Sequence, residues 1–91
     1  MSHTVHDNPA LSRYEMPVEG GVAFVNYRRA PGVVTLLYAE VPPALAGRGL
    51  GAELARGTFD CVRAEGSKAV PVCSYLVAWA KRHPEVHDLL A

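Results

Sequence analysis

Apolar and polar residues alternate in the first part of the chain, and this pattern predicts three β-strands. Ser12–Val18 alternates between apolar and polar positions, and Val22–Arg29 is rich in β-forming residues. Glu19-Gly20-Gly21 between them predicts a hairpin turn, because glycine adopts positive φ at little cost. The third run, Val33–Val41, is almost continuously apolar, which predicts a strand covered on both faces and ended by Pro42-Pro43. The three strands form an antiparallel meander.

After the third strand, the spacing of apolar residues changes to the three- and four-residue steps of a helix. Gly49–Glu65 carries a polar stripe opposite an apolar one, and Gly66 stands where a C-terminal glycine cap is expected. A short β-rich stretch, Ala69–Val72, comes next. Ser74–Arg82 then has the pattern of a second helix, which Pro84 stops.

The predicted order of elements is βββ–α–β–α. A helix between the third and fourth strands makes those two strands parallel in an otherwise antiparallel sheet. The predicted fold class is therefore α/β (α+β) with a mixed, mostly antiparallel sheet. Residues 1–10 precede the pattern and are expected to form a flexible N-terminus. Residues 11–91 are expected to form one domain, since 91 residues suffice for one modest core.

The composition argues against several classes of function. Hydrophobic residues make up 49% and charged residues 20% of the chain, and the formal net charge is zero, so no overall field attracts nucleic acid. No apolar run is long enough for a membrane helix, and the N-terminal residues lack the features of a signal peptide. Cys61 and Cys73 provide neither a disulfide framework nor a CxxC pair. We therefore expect a cytoplasmic protein that binds neither nucleic acid nor membrane.

The most informative segment joins the third strand to the first helix and reads Gly47-Arg48-Gly49-Leu50-Gly51-Ala52. Free backbone N–H groups at a helix start favour phosphate, and glycines let a ligand approach the main chain. Arg48 could add a charge-assisted hydrogen bond. The Gly-Lys-Ser/Thr end of a Walker A loop is absent, and too little chain remains for a dinucleotide-binding domain. The segment predicts a phosphate site or, alternatively, only a tight turn from strand to helix.

This segment resembles the pyrophosphate-binding motif of the GNAT (GCN5-related N-acetyltransferase) superfamily, which is Gln/Arg-x-x-Gly-x-Gly/Ala. Here it reads Ala46-Gly47-Arg48-Gly49-Leu50-Gly51. The chain is similar to the small single-domain GNAT-like proteins over about residues 7–90. Five further segments carry the resemblance: Asp7-Asn8-Pro9 with Ser12-Arg13-Tyr14-Glu15; Ala23-Phe24-Val25-Asn26-Tyr27-Arg28; Glu40-Val41-Pro42-Pro43-Ala44-Leu45; Val70-Pro71-Val72-Cys73-Ser74-Tyr75; and Arg82-His83-Pro84-Glu85.

The resemblance implies an N-acetyltransferase whose central sheet is splayed to admit acetyl-CoA. The pyrophosphate would lie on Gly47–Ala52, and the pantetheine would pair with the end of the third strand at Val41. The family's Pro-x-Cys segment maps onto Pro71-Val72-Cys73, so the resemblance implies that Cys73 is the reactive residue. The acceptor would be an amine of a small molecule or a protein, which the sequence does not identify.

Cys73 and Glu40 are the candidates for the chemistry. Acetyl transfer needs a deprotonated amine and a stabilised leaving thiolate, or it passes through an enzyme cysteine. Cys73 precedes the second helix, whose dipole favours a thiolate, although a free cysteine is commonly buried and inert. Glu40 shares a strand face with Tyr38 and is a candidate base, or else a salt-bridged strand end. Tyr75 could donate a proton to the thiolate, but an aromatic after a strand is more often core.

Two departures from the family's pattern leave a second function open. Ala46 stands where the family usually has Arg or Gln. Tyr38 stands where it usually has His, and a tyrosine, with a pKa of about 10, is a poorer base at neutral pH. A non-catalytic acyl-CoA-binding or interaction module is therefore the alternative. His83 and His87 share helical spacing, but the proline between them and the lack of a third ligand predict no metal. We expect a monomer or weak homodimer.

Overall fold

The computed structural model describes residues 3–45 and 47–91, and its centre is a five-stranded mixed sheet. The strands lie side by side in chain order: β1 (His6–Asn8), β2 (Arg13–Val18), β3 (Gly21–Ala30), β4 (Val33–Glu40) and β5 (Lys68–Pro71). Neighbouring strands are antiparallel except β4 and β5, which are parallel. The predicted mixed, mostly antiparallel sheet with one parallel crossover is confirmed.

Two α-helices follow the meander, and short 3-10 turns complete the chain. The helices are α1 (Leu50–Ala64) and α2 (Ser74–Lys81), and the turns are Pro9–Leu11, Pro43–Leu45 and Pro84–Leu89. Helix α1 begins one residue later than predicted, because Gly49 has a φ of 76°, outside the right-handed helical region. Across residues 3–45 and 47–91, no helix is long and apolar enough to cross a membrane.

Residues 6–8 fall within the N-terminal range 1–10 that is predicted to be flexible, whereas in the structure they form the edge strand β1. This strand pairs with β2, and its Asp7 accepts a hydrogen bond from the Tyr27 hydroxyl at 2.6 Å. Just before the strand, Val5 lies so close to Gly57 that a Cβ added there would be 2.2 Å from the Val5 Cγ2 atom. Local sequence gives no signal for this strand, because the residues that hold it lie far along the chain.

Both helices pack on one face of the sheet, so the prediction that β4 is covered on both faces is wrong. In β4, Val34 and Leu36 are buried, whereas Leu37 and Tyr38 are exposed. No described element covers the opposite side, which we call the outer face and which carries Arg13, Phe24, Asn26, Tyr38 and Glu40. The apolar run of β4 reflects its position between β3 and β5, where neighbouring strands shield its side chains without a second layer.

β4 and β5 separate after Leu36. The two strands pair only as far as this residue, and the Leu36 carbonyl accepts hydrogen bonds from the N–H groups of Val72 and Cys73 at 2.8 and 3.2 Å. Beyond Leu36, β4 continues along β3, while the segment that follows β5 turns away into α2. We call the gap between residues 37–40 and 72–75 the splay. It corresponds to the opening that the family resemblance implies.

A β-bulge at Leu37 decides which way the end of β4 faces. Tyr27 of β3 lies opposite Leu36, and the preceding Asn26 lies opposite Tyr38, so Leu37 is an extra residue in β4. Without the bulge, strict alternation from the buried Leu36 would point Tyr38 into the core. The bulge instead places Tyr38 on the outer face, where its ring centroid is 6.4 Å from that of Phe24.

An aromatic stack joins both helices to the C-terminal turn. The Trp79 ring of α2 stacks with Phe59 of α1 at a centroid distance of 5.5 Å, and with His83 at 3.9 Å. The Arg56 guanidinium lies 5.0 Å from the Trp79 ring centroid and also bonds to the carboxylate of Glu85. The stack and this ion pair hold the C-terminal turn against α1 and α2.

We expect Glu85 to titrate well below an ordinary glutamate. The hydrogen bond from Arg56 is the main cause that lowers the pKa of Glu85 from 4.5 to about 2. Because the folded pKa lies below the unfolded one, the stabilisation is complete above pH 4.5 and is lost as the pH falls through about 2. NMR titration should give a midpoint near 2 that rises toward 4.5 in Arg56→Met. Arg82→Met, at an exposed arginine, should leave the midpoint unchanged; a native midpoint near 4.5 would contradict the ion pair.

Thr58 places a hydroxyl in the core, and within the described part of the chain its Oγ1 atom has no hydrogen-bond partner. Thr58→Val removes this hydroxyl with little change in shape. Because an unpaired buried hydroxyl costs about 1–3 kcal/mol, we expect the free energy of unfolding to rise by about 1 kcal/mol in urea denaturation. Thr58→Ser keeps the hydroxyl but loses a buried methyl group, so it should lower stability by about 1 kcal/mol. A less stable valine variant would show that the hydroxyl is bonded.

Candidate active site

Gly47 and Gly49 adopt left-handed backbone conformations in the turn between β4 and α1. Their φ angles are 81° and 76°, values that residues with a Cβ rarely take. The Gly49 carbonyl accepts a hydrogen bond from the Glu53 N–H at 3.2 Å, which begins the hydrogen-bond pattern of α1. The backbone of this turn therefore requires glycine at both positions, whether or not a ligand binds.

Several backbone N–H groups of the turn are available to a ligand. In the described ranges, the N–H groups of Arg48, Gly51 and Ala52 donate to no protein acceptor. The N-cap of α1 is Gly49, so no side chain caps the helix. Unpaired N–H groups at the positive end of a helix dipole bind anions, and phosphate suits them best.

A cavity of about 320 Å³ opens beside these N–H groups, and we call it the glycine-turn cavity. Its lining residues are Val41, Leu45, Gly47, Gly49, Leu50, Gly51, Ala52 and Tyr75. The structure thus brings together all of the predicted cofactor-binding residues except Arg48. Ala46, the departure from the family motif, lies outside the described residues.

Arg48 lies beside the glycine-turn cavity but lines a different one. This second cavity, of about 310 Å³, also has Glu19 and Glu53 in its wall. Arg48 is exposed, and the cavity that it lines contains acidic side chains. The backbone N–H of Arg48 still belongs to the glycine turn, whereas a contact between its guanidinium and phosphate remains a prediction.

Tyr75, which sequence reasoning favoured as a core residue, is 42% exposed and lines the glycine-turn cavity. Its hydroxyl lies over the first turn of α1, where a Cβ added to Gly51 would be 2.9 Å from the Tyr75 Oη atom. Gly51 therefore leaves room both for this hydroxyl and for a ligand. The sequence offers only an indirect signal, which is that Tyr75 follows Cys73 by two residues in the first turn of α2.

Tyr38 and Glu40 form a hydrogen-bonded pair on the outer face at the splay. The Tyr38 hydroxyl donates to Glu40 Oε1 at 2.9 Å. This hydrogen bond and the carboxylate charge raise the pKa of Tyr38, to which desolvation and the nearby Cys73 add. Tyr38 therefore stays protonated at neutral pH and acts as a hydrogen-bond donor. The predicted shared face of Tyr38 and Glu40 is confirmed by their contact.

Cys73 is the N-cap residue of α2 and lies half-buried at the splay. Its N–H donates to the Leu36 carbonyl, and its own carbonyl accepts from the Val77 N–H at 3.0 Å. Cys73 does not line the glycine-turn cavity, but Tyr75 lies two residues along and does. Cys73 is close enough to Tyr38 to influence its pKa, and it stands at the start of a helix that favours negative charge.

The other cysteine and the two C-terminal histidines lie away from the splay. Burial raises the pKa of the Cys61 thiol, and its Sγ contacts the Val5 carbonyl oxygen at 3.5 Å, which suits the predicted packing role. His83 contacts Glu85 at 3.0 Å, whereas His87 Nε2 lies 2.8 Å from the Ala80 carbonyl oxygen. The two imidazoles have different partners and do not converge.

Comparisons with known proteins agree with this geometry. Residues 13–89 match a family model described as GCN5-related N-acetyl-transferase. Protein NATD1 of Gallus gallus and of Mus musculus is 38% identical over 52 residues, which are 57% of this chain and 47% of those proteins. The match thus spans about half the length of these relatives. The NMR structure of a protein from Staphylococcus aureus described as GCN5-like has a TM-score of 0.71, covering 96% of this chain and 86% of that one at 16% identity, which shows a shared fold.

Proposed function

Because the chain belongs to the GCN5-related N-acetyltransferase family, we propose that it binds acetyl-CoA at the glycine turn and transfers the acetyl group to an amine. The observation that carries this proposal is the glycine-turn cavity. Within residues 3–45 and 47–91, the N–H groups of Gly51 and Ala52, which line this cavity at the positive end of α1, have no protein acceptor, and neither does the neighbouring N–H of Arg48. A diphosphate supplies the negative charge and the acceptor oxygens that such a site lacks.

The splay supports a position for the rest of the cofactor. Within residues 3–45 and 47–91, β4 has no neighbouring strand on the side of α2 past Leu36, so its backbone groups there can pair with an amide-bearing chain. Val41, directly after β4, and Tyr75, in the first turn of α2, both border the glycine-turn cavity. A pantetheine arm that leaves the diphosphate would follow the Val41 end of β4 and bring the thioester to the splay near Cys73.

In the direct route, the side chains at the splay handle protons. Glu40 takes a proton from the acceptor ammonium and passes it to solvent. The amine nitrogen then bonds to the acetyl carbonyl carbon, and the carbon–sulfur bond of acetyl-CoA breaks. Tyr75 donates its proton to the leaving thiolate and regains one, through solvent, from the nitrogen that has become an amide. The products are an N-acetyl group and the free thiol of coenzyme A.

A second route passes through Cys73. The Cys73 thiolate bonds to the acetyl carbonyl carbon as the carbon–sulfur bond of acetyl-CoA breaks, and the departing coenzyme A thiolate takes a proton from solvent. The amine, after it loses a proton to Glu40, then attacks the Cys73 thioester; the Cys73 thiolate leaves, and the nitrogen loses its second proton to solvent as it becomes an amide. Cys73→Ala should then sharply reduce thiol release from acetyl-CoA. Cys61→Ala is the matched control, since Cys61 packs against Val5 and lies on another helix. If Cys73→Ala transfers acetyl groups at the wild-type rate, the direct route is the one in use and Cys73 has a structural role.

Isothermal titration of the full chain with acetyl-CoA tests the proposal as a whole. We expect saturable binding, with thiol release once an acceptor amine is added. No heat of binding at millimolar acetyl-CoA would end the proposal.

A non-catalytic acyl-CoA-binding module is the second candidate, because Tyr38 stands in the place of the family's usual histidine. Its raised pKa prevents it from acting as a base near neutral pH. Saturable binding without acetyl transfer to a broad panel of amines and proteins would favour this candidate.

A further inference from the structure

A third cavity, of about 450 Å³, lies where α2, the end of β5 and the C-terminal turn meet, and we call it the α2 cavity. It is larger than the glycine-turn cavity, and none of its lining residues takes part in the acetyl transfer proposed above. They are Pro71, Val77, Ala80, Lys81, His87 and Leu90. Concave sites of about 300–1,000 Å³ with apolar walls and a few polar groups are typical binding sites for small molecules.

The α2 cavity opens because strand pairing stops at the outer edge of β5. Leu90 bridges Ala69 in parallel, and the Ala91 N–H donates to the Ala69 carbonyl at 3.0 Å. Two residues further along the same edge stands Pro71, which has no N–H group with which to continue the pairing. The two segments therefore separate after Ala69 and leave a space beside α2.

The α2 cavity and the glycine-turn cavity lie on opposite sides of α2. Tyr75 lines the glycine-turn cavity, whereas Val77 lines the α2 cavity. Successive residues of an α-helix are about 100° apart around its axis, so Tyr75 and Val77 point in nearly opposite directions. A molecule in the α2 cavity therefore leaves the glycine-turn cavity open to the cofactor.

The walls of the α2 cavity are mostly apolar and already held in place. Pro71, Val77, Ala80 and Leu90 supply its apolar surface. The His87 ring is fixed by its Nε2–H, which donates to the Ala80 carbonyl at 2.8 Å. A ligand with an apolar body therefore meets a preformed surface and pays little to order it.

The charge at the α2 cavity is positive. Within residues 3–45 and 47–91, no carboxylate pairs with Lys81. The acidic residues of the C-terminal turn, Glu85 and Asp88, bond instead to Arg56 and Arg63. Lys81 therefore brings one uncompensated positive charge to an apolar cavity.

One positive charge beside apolar walls indicates the chemistry of the ligand. A carboxylate carries one negative charge and balances the ammonium of Lys81. A phosphate monoester carries nearly two negative charges at neutral pH, which is more than Lys81 balances. The apolar walls in turn favour a ligand whose remaining surface is hydrocarbon.

We propose that the α2 cavity binds a small monocarboxylate with an apolar chain. The carboxylate bonds to the ammonium of Lys81, and the chain packs against Val77 and Leu90. This site does not depend on the acetyl transfer proposed above, because it shares no lining residue with the glycine-turn cavity.

Octanoate is the probe, and octanamide, which has the same chain without the charge, is its matched control. NMR titration of the full chain with octanoate should shift the methyl resonances of Val77 and Leu90 and saturate with a Kd of about 1 mM or below. We expect octanamide to bind about tenfold more weakly, because it lacks the charge-assisted hydrogen bond to Lys81. Saturating acetyl-CoA should leave the octanoate Kd unchanged.

Two pairs of variants test the position of the ligand. Lys81→Met should weaken octanoate binding about tenfold without affecting octanamide, whereas Arg82→Met, at the next exposed residue, should bind both like the wild-type chain. Val77→Phe fills the α2 cavity and should abolish binding of both probes. Ala78→Phe, at an exposed position of α2 that does not line the cavity, should bind both normally. Thermal unfolding checks that each variant is folded.

Each contrary result overturns a stated part of the proposal. No saturable shift of the two methyl resonances overturns the site. Equal affinity of the wild-type chain for octanoate and octanamide overturns the carboxylate. Wild-type octanoate affinity in Lys81→Met or in a folded Val77→Phe variant overturns the position, as does displacement of octanoate by acetyl-CoA. Failure of acetyl-CoA to bind the wild-type chain would instead overturn the proposed function and leave this site intact.

Discussion

A Gly51→Val variant is expected to bind acetyl-CoA about a hundredfold more weakly than the wild-type chain while it keeps its fold. Gly51 lies in the first turn of α1, and a Cβ there would be 2.9 Å from the Tyr75 Oη atom. Valine also places two methyl groups in the glycine-turn cavity, next to the N–H groups of Gly51 and Ala52. Each hydrogen bond to a charged group contributes about 1.5–3 kcal/mol, and about 1.4 kcal/mol corresponds to a tenfold change in affinity.

Isothermal titration measures this loss, and thermal unfolding checks the fold. Gly51 is within α1 and has no positive φ, so valine fits its backbone. Tyr75 is partly exposed and its hydroxyl end can move aside. Ala64→Val, at the exposed far end of α1, is the matched control and should bind acetyl-CoA like the wild-type chain. Wild-type affinity in Gly51→Val would show that the diphosphate binds elsewhere.

A Trp79→Ala variant is expected to lose about 3–5 kcal/mol of unfolding free energy, a large part of the total of about 5–15 kcal/mol typical of a domain. Trp79 is buried and stacks with both Phe59 and His83. Its removal leaves a cavity between α1, α2 and the C-terminal turn, and it takes away the ring under Arg56. At about 4–8 °C per kcal/mol for a domain of this size, the melting temperature should fall by more than 10 °C.

Circular dichroism in urea is the suitable measurement, because Trp79 is the single tryptophan and its fluorescence is lost with it. Trp79→Phe keeps an aromatic ring in the stack and should cost clearly less than Trp79→Ala. A loss below about 1 kcal/mol in Trp79→Ala would mean that the neighbouring helices close over the cavity.

Much of the fold could be predicted because its signals are local. The alternation in β2, the glycine turn before β3 and the amphipathic pattern of α1 each lie within one element. The crossover through α1 then required β4 and β5 to be parallel. Strand β1 could not be predicted in this way, because Tyr27 and Gly57, which help to hold it, are distant in sequence.

The candidate site could be predicted only in part. The glycines of the turn are recognisable because positive φ and close approach both demand them. Tyr75 was undervalued, because nothing in the local pattern reveals that its hydroxyl lies over Gly51. The position of Arg48 in the motif predicted a contact with phosphate. In the structure, Arg48 instead lines the cavity that also contains Glu19 and Glu53.

Sequence alone was enough for the order of the elements from β2 to α2, for the glycine turn and for the family to which the chain belongs. The reason is that backbone preference and periodic burial act over a few neighbouring residues. Only the tertiary structure decided that the sheet is covered on one face and that Tyr38 and Glu40 point to the other. The orientation of Tyr38 and Glu40 depends on one extra residue, Leu37, opposite β3. A register shift between two strands is a property of their pairing, and no pattern within β4 alone specifies it.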